Sequence, residues 1–146
     1  MSTLPARALE SAKIRDTCLC LHVQRAARAL ARRFDQAFRP LELTHGQFSL
    51  MNALNGSGRA NVTRVSEILA MDRTTLTANL KPLERRGLVS LTADPTDRRS
   101  KRIALTARGR ALLRRAIPIW RRAHAELDRE LGGSPARLRS ALAKLH

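Results

Sequence analysis

Asn61-Val-Thr-Arg-Val65-Ser-Glu-Ile-Leu69-Ala-Met-Asp72-Arg-Thr-Thr-Leu76-Thr-Ala-Asn-Leu80-Lys-Pro-Leu83 is the stretch that decides the fold. Asn61 and Asp72 each precede a short apolar-periodic run. Their side-chain oxygens can accept the free N–H groups of a first helical turn, so both are expected N-caps. The first helix turns Val62, Val65 and Leu69 inward. The second carries Leu76, Leu80 and Leu83 at i, i+4, i+7 and ends near Gly87. Only a few residues separate the two, which makes them a helix-turn-helix by spacing.

Downstream, Leu88-Val-Ser-Leu-Thr-Ala93 alternates apolar and polar from Val89, as a strand does. Asp94-Pro-Thr-Asp-Arg-Arg-Ser100 is a charged turn, and Lys101-Arg-Ile-Ala-Leu105 is a second alternating run. Two strands around a basic tip predict a hairpin wing. Thr106 is the expected cap of a long helix through Leu112, Leu113, Ile117, Trp120, Ala123, Leu127 and Leu131. Pro118 bends that helix, Gly132-Gly-Ser-Pro135 ends it, and residues 136–146 form a last short helix. Upstream, residues 17–38 place Val23, Ala27, Leu30, Phe34 and Phe38 on one helical face, and Pro40 stops them. Thr44-His-Gly-Gln47 predicts a capping box for a helix carrying Phe48, Leu50, Met51 and Leu54. Asn55-Gly-Ser-Gly58 predicts a loop. The expected class is mainly α with a small β-hairpin wing: a winged helix-turn-helix at 44–105, flanked by helices at 17–38 and 106–146 within one domain.

Charge narrows the partner. The 146 residues include 28 Lys+Arg against 12 Asp+Glu, a net charge of +16. That excess calls for a polyanion, and most of the basic residues are Arg, whose planar fork suits phosphates and guanine edges. No apolar run approaches the ~20 residues of a membrane span. Arg7, Glu10, Lys13 and Arg15 interrupt any signal-peptide core, so a cytoplasmic location is expected. Three Phe, one Trp and no Tyr leave few stacking platforms for single strands or RNA, which favours duplex DNA over an RNA-binding alternative. No Gly-rich phosphate loop, nucleophile elbow or carboxylate pair points to an enzyme, and neither a metal nor a cofactor is expected.

On the helix after Asp72, the face opposite the Leu stripe holds Thr74, Ala78, Lys81 and Arg85, with Arg73, Thr75 and Thr77 flanking it. Short hydroxyls and an Arg at a helix N-terminus suit base edges and phosphates. Arg73 is the best candidate for a base reader, and at the first turn it can also clamp a phosphate. Pro82 lies off the apolar stripe and removes one i→i−4 bond, which costs roughly 3 kcal/mol in a regular helix interior. At the wing tip, Arg98 and Arg99 are the candidate minor-groove residues.

Three stretches together resemble the multiple-antibiotic-resistance regulator (MarR) family: Leu43-Thr-His-Gly-Gln-Phe48; Met71-Asp-Arg-Thr-Thr-Leu-Thr77 with Leu83-Glu-Arg-Arg-Gly-Leu-Val89; and Asp94-Pro-Thr-Asp-Arg-Arg-Ser100 leading to Leu105-Thr-Ala-Arg-Gly109. The D-x-x-D-x-R wing is the most specific, and the match covers roughly residues 17–146. The resemblance implies a homodimer built from the terminal helices, a palindromic duplex site, and often a small-molecule or redox inducer, consistent with a ligand-responsive repressor. It makes Arg99 the residue inserted in the minor groove and Asp97 the acid that orients the wing, paired with an Arg. His22, Arg25, Phe48, Met51 and Trp120 are candidate lining for an inducer pocket. Cys20 shares the face of Val23, Ala27, Leu30 and Phe34, and its placement resembles the sensing Cys of the peroxide-responsive branch. The tyrosines that hydrogen-bond sulfur in that branch are missing here, and a sulfur buried on an apolar face is expected to be inert. Cys18 points elsewhere and is not expected to pair with Cys20.

Overall fold

A computed structural model describes residues 6–56 and 60–146, so Ser57 and Gly58 of the expected loop lie outside the described residues. By compactness the chain divides into a unit ending at Arg33 and a unit beginning at Phe34. The first unit holds a helix that periodicity did not predict, α1 (Ala6–Thr17), and most of α2 (Leu19–Phe38). α1 has no clear apolar stripe, and its Ala, Leu, Glu, Lys and Arg make a helix by intrinsic propensity instead. Only Cys18 separates the two helices. The helical bond pattern runs across it, from Cys18 N–H to Ile14 C=O (2.8 Å) and from His22 N–H to Cys18 C=O (3.1 Å).

In the second unit the caps form where the local chemistry predicts. Gln47 N–H donates to Thr44 Oγ1 and Thr44 N–H to Gln47 Oε1, both at 3.1 Å, which is the reciprocal capping box opening α3 (His45–Gly56). The Asp35 carboxylate adds a third acceptor, taking His45 N–H at 2.6 Å. Asn61 caps α4 (Val62–Leu69) by accepting Arg64 N–H at 2.8 Å. Asp72 caps α5 (Arg73–Arg85) by accepting Thr75 N–H at 2.8 Å. α5 ends in a Schellman turn: Gly87, at φ +67°, gives its N–H to Glu84 C=O, and Leu88 gives its own to Leu83 C=O, both 2.9 Å.

The expected hairpin wing forms, and a two-residue strand from outside it completes a three-stranded sheet. β1 (Ala60–Asn61) joins β2 (Val89–Ala93) and β3 (Lys101–Leu105) in the order β1-β3-β2, all antiparallel, with Asn61 opposite Arg102 and Val89 opposite Leu105. Thr106 then caps α6 (Ala107–Leu131), which continues through Pro118. The last helix, α7, spans Pro135–Leu142 with Ser134 as its cap, and a 3-10 turn at Ala143–Leu145 follows it, so it starts and stops earlier than periodicity suggested.

The core of this unit gathers Phe34, Phe38, Leu50, Met51, Val65, Leu76, Leu80, Leu83, Leu88 and Leu113, each under 5% exposed. Phe38 stacks on Phe48 at 4.8 Å and Phe48 on Trp120 at 6.4 Å. α6 approaches the turn after α5 so closely that a Cβ on Gly109 would overlap the Leu88 carbonyl oxygen. Among the described residues no helix is long and apolar enough to cross a membrane.

Candidate nucleic-acid interface

α5 buries Leu76, Leu80 and Leu83 and leaves Arg73, Thr74, Thr77, Ala78 and Lys81 exposed around a shallow concavity. Two hydroxyls on this helix are already engaged. Thr77 Oγ1 donates to Arg73 C=O at 2.8 Å and keeps only acceptor capacity. Thr75 Oγ1 donates to Asp72 Oδ2 at 2.6 Å, so Thr75 belongs to the cap more than to the reading face. The Thr75 hydroxyl and the Thr75 N–H, both donating to it, hold the Asp72 carboxyl below its ordinary value of 3.8 and keep it ionised at the positive end of the helix dipole. Pro82 falls in the last turn. The bond it forfeits would have used the carbonyl of Ala78, a residue on the exposed face, where water can substitute.

The wing tip presents Arg98 and Arg99 to solvent. Asp97 shapes it through the main chain: its Oδ1 accepts the N–H of Arg99 at 3.0 Å, and its carbonyl accepts Ser100 N–H at 3.0 Å. The wing's buried acid is Asp94, 5% exposed. It accepts the N–H and hydroxyl of Thr96 at 3.0 and 2.8 Å. Arg102 stands 3.9 Å away. The Thr96 bonds, with help from Asn61 and Arg102, hold its carboxyl below the usual carboxylate range. Sequence reasoning missed the burial of Asp94. Its one local signal was an Asp followed by Pro-Thr, which forms the Asx turn to Thr96.

The candidate inducer residues belong to both units. Phe48 and Trp120 line a cleft of about 430 Å³ with Ser49, Asn52, Ile68 and Ile117. Met51, fully buried, is core and does not line it. His22 and Arg25 lie on the first unit in a basic groove with Arg28 and Arg32. Cys20 is exposed rather than buried, and its Sγ accepts a hydrogen bond from Gln24 Nε2 at 3.2 Å, so burial does not make it inert. The apolar face it shares stays open toward its N-terminal end, with Leu30 at 39% exposure while Phe34 is at 4%.

Residues 41–100 match the model of the MarR family. Transcriptional regulator HosA of Escherichia coli O111:H- is 32% identical over 97 residues, 66% of this chain and 72% of its own length. Among solved structures, the M. tuberculosis transcriptional regulator MosR in complex with DNA is 41% identical, with a TM-score of 0.80 over 88% of this chain and 92% of that one. Transcriptional repressor CouR bound to a 23-mer DNA duplex is 33% identical, with a TM-score of 0.76 over 99% of both chains.

Proposed function

Because the chain belongs to the MarR family of transcriptional regulators, we propose that it binds a specific duplex operator as a homodimer and represses transcription until a small molecule releases it. The observation that carries this reading is the pairing of two exposed basic elements on one sheet-tied lobe: the polar face of α5 and the Arg98–Arg99 tip. α5 enters the major groove, with Arg73, Thr74, Thr77 and Lys81 toward bases and phosphates. Arg99 enters the adjoining minor groove, where its charge gains from a narrow, negative channel. Asp97 and Asp94 give the tip its shape.

A lone helix-turn-helix gains its affinity from two half-sites, so a dimer is required. Leu131, Leu138, Leu142 and Leu145 remain 38–58% exposed at the C-terminal end of the second unit, and they are the surface a partner copy covers. A chromosomal target implies a cytoplasmic location.

The test is selection of duplexes from fragmented genomic DNA by the purified full chain, followed by competition with random duplex and with single-stranded RNA. A palindromic site is expected to survive both competitors. Displacement by RNA, or equal affinity for every duplex, would overturn the reading.

A further inference from the structure

Arg86 joins two helix ends that are distant in sequence. It closes α5, and its side chain reaches the residues around the 3-10 turn Arg39–Leu41, which follows α2 directly. Nη1 donates to Glu42 C=O at 2.6 Å and Nη2 to Leu41 C=O at 3.3 Å, so the half-buried guanidinium forks across two consecutive carbonyls. The turn it holds is an unfavourable one. Glu42 sits at φ +51°, in the left-handed region that a residue with a Cβ rarely adopts. Its bonds follow the pattern of the turn after α5: Glu42 N–H to Arg39 C=O at 2.9 Å and Leu43 N–H to Phe38 C=O at 3.5 Å. After α5 the left-handed place belongs to Gly87, which adopts it without strain, and the outer bond, Leu88 N–H to Leu83 C=O, closes at 2.9 Å. The turn at Glu42 has neither advantage, and the two Arg86 bonds supply the missing hold. Glu42 also shares a cleft with Arg86, Arg108 and Arg115, whose charges favour a carboxylate at this position.

α5 gains from the same bonds. Asp72 caps its first turn, but Pro82 deprives its last turn of one ladder bond, so this end depends on an outside hold. We propose that Arg86 is a positioning residue for DNA reading. Without touching the duplex, it fixes the C-terminal end of α5 to the turn at Leu41–Glu42 and sets the angle at which Arg73, Thr74 and Thr77 meet base edges. Hydrogen bonds to base edges weaken steeply when a donor is misaimed, whereas attraction to phosphates tolerates a small tilt. The inference rests on α5 being the reading helix.

The experiment measures the affinity of the full chain for cognate and random duplex against log salt, at a temperature well below every variant's melt. Arg86→Gln is expected to lose about tenfold on the cognate duplex and to keep wild-type affinity and salt slope on the random one. Arg86→Lys keeps the charge without the fork, so it should lose cognate affinity too. Glycine holds a left-handed turn unaided, so Arg86→Gln/Glu42→Gly should recover most of what Arg86→Gln loses. The proposal is overturned if Arg86→Gln or Arg86→Lys binds the cognate duplex as wild type, or if Glu42→Gly recovers nothing. It is equally overturned if both duplexes weaken together, with a lowered salt slope marking a phosphate contact and an unchanged one a damaged lobe. Should Arg86→Gln not fold, Arg86→Lys with and without Glu42→Gly decides by the same outcomes. A wild type that binds both duplexes equally would overturn the reading by α5 itself, so the two failures are distinct.

Discussion

His45 sits against Phe34, ring centroids 5.5 Å apart, with its main-chain N–H on Asp35. Burial pushes its imidazole below the ordinary 6.5, and Asp35 opposes that only in part. The folded state therefore binds this proton less readily than the unfolded chain. The sign follows: the stability is fully present above 6.5 and is lost as pH falls through the lower, folded value. Thermal melts of wild type should decline on acidifying below neutrality, and His45→Gln should flatten that part of the curve. Gly109 makes a sharper prediction. With no room for a Cβ against the Leu88 carbonyl, Gly109→Ala should destabilise by about 3 kcal/mol, read by urea denaturation. The caps at Thr44, Asn61, Asp72 and Thr106 were legible in the sequence because each needs only its own next three residues. The burial of Asp94 and the engagement of Thr75 were not, since those depend on which neighbour a side chain chooses.

Elements divide by the same logic. α4 and α5 announced themselves through caps and apolar spacing, and β2 and β3 through alternation. β1, at two residues, is too short to show a period, and it exists because β3 offers a free edge to Ala60 and Asn61. α1 lacks a stripe, so apolar periodicity passes over it. The reading helix and the wing should differ in kind when tested. Arg99→Ala is expected to weaken cognate and scrambled duplexes together and to lower the salt slope by about one unit for each phosphate-like interaction it removes. Arg73→Ala is expected to cost about 1–3 kcal/mol on the cognate duplex alone. Affinity against log salt for the two variants on both duplexes separates these outcomes. Wild-type binding by Arg99→Ala at every salt concentration would remove the wing from the interface.

For the molecule as a whole, removing residues 132–146 should convert the dimer to monomer at micromolar concentration in light scattering, because Leu138, Leu142 and Leu145 go with them. Fold class, charge and the exposed polar face of α5 were legible as patterns along one chain. The clefts were not, since Arg86 and Arg115 meet across 29 positions of sequence only once α6 has docked. The seating of Asp94 carries a consequence for lineage. Its buried carboxylate holds both the N–H and the hydroxyl of Thr96, so a drift at position 94 strands the one and a drift at position 96 thins the support of the other. Positions 94 and 96 are inherited as a pair, and the shape of the turn between β2 and β3 is the trait they transmit.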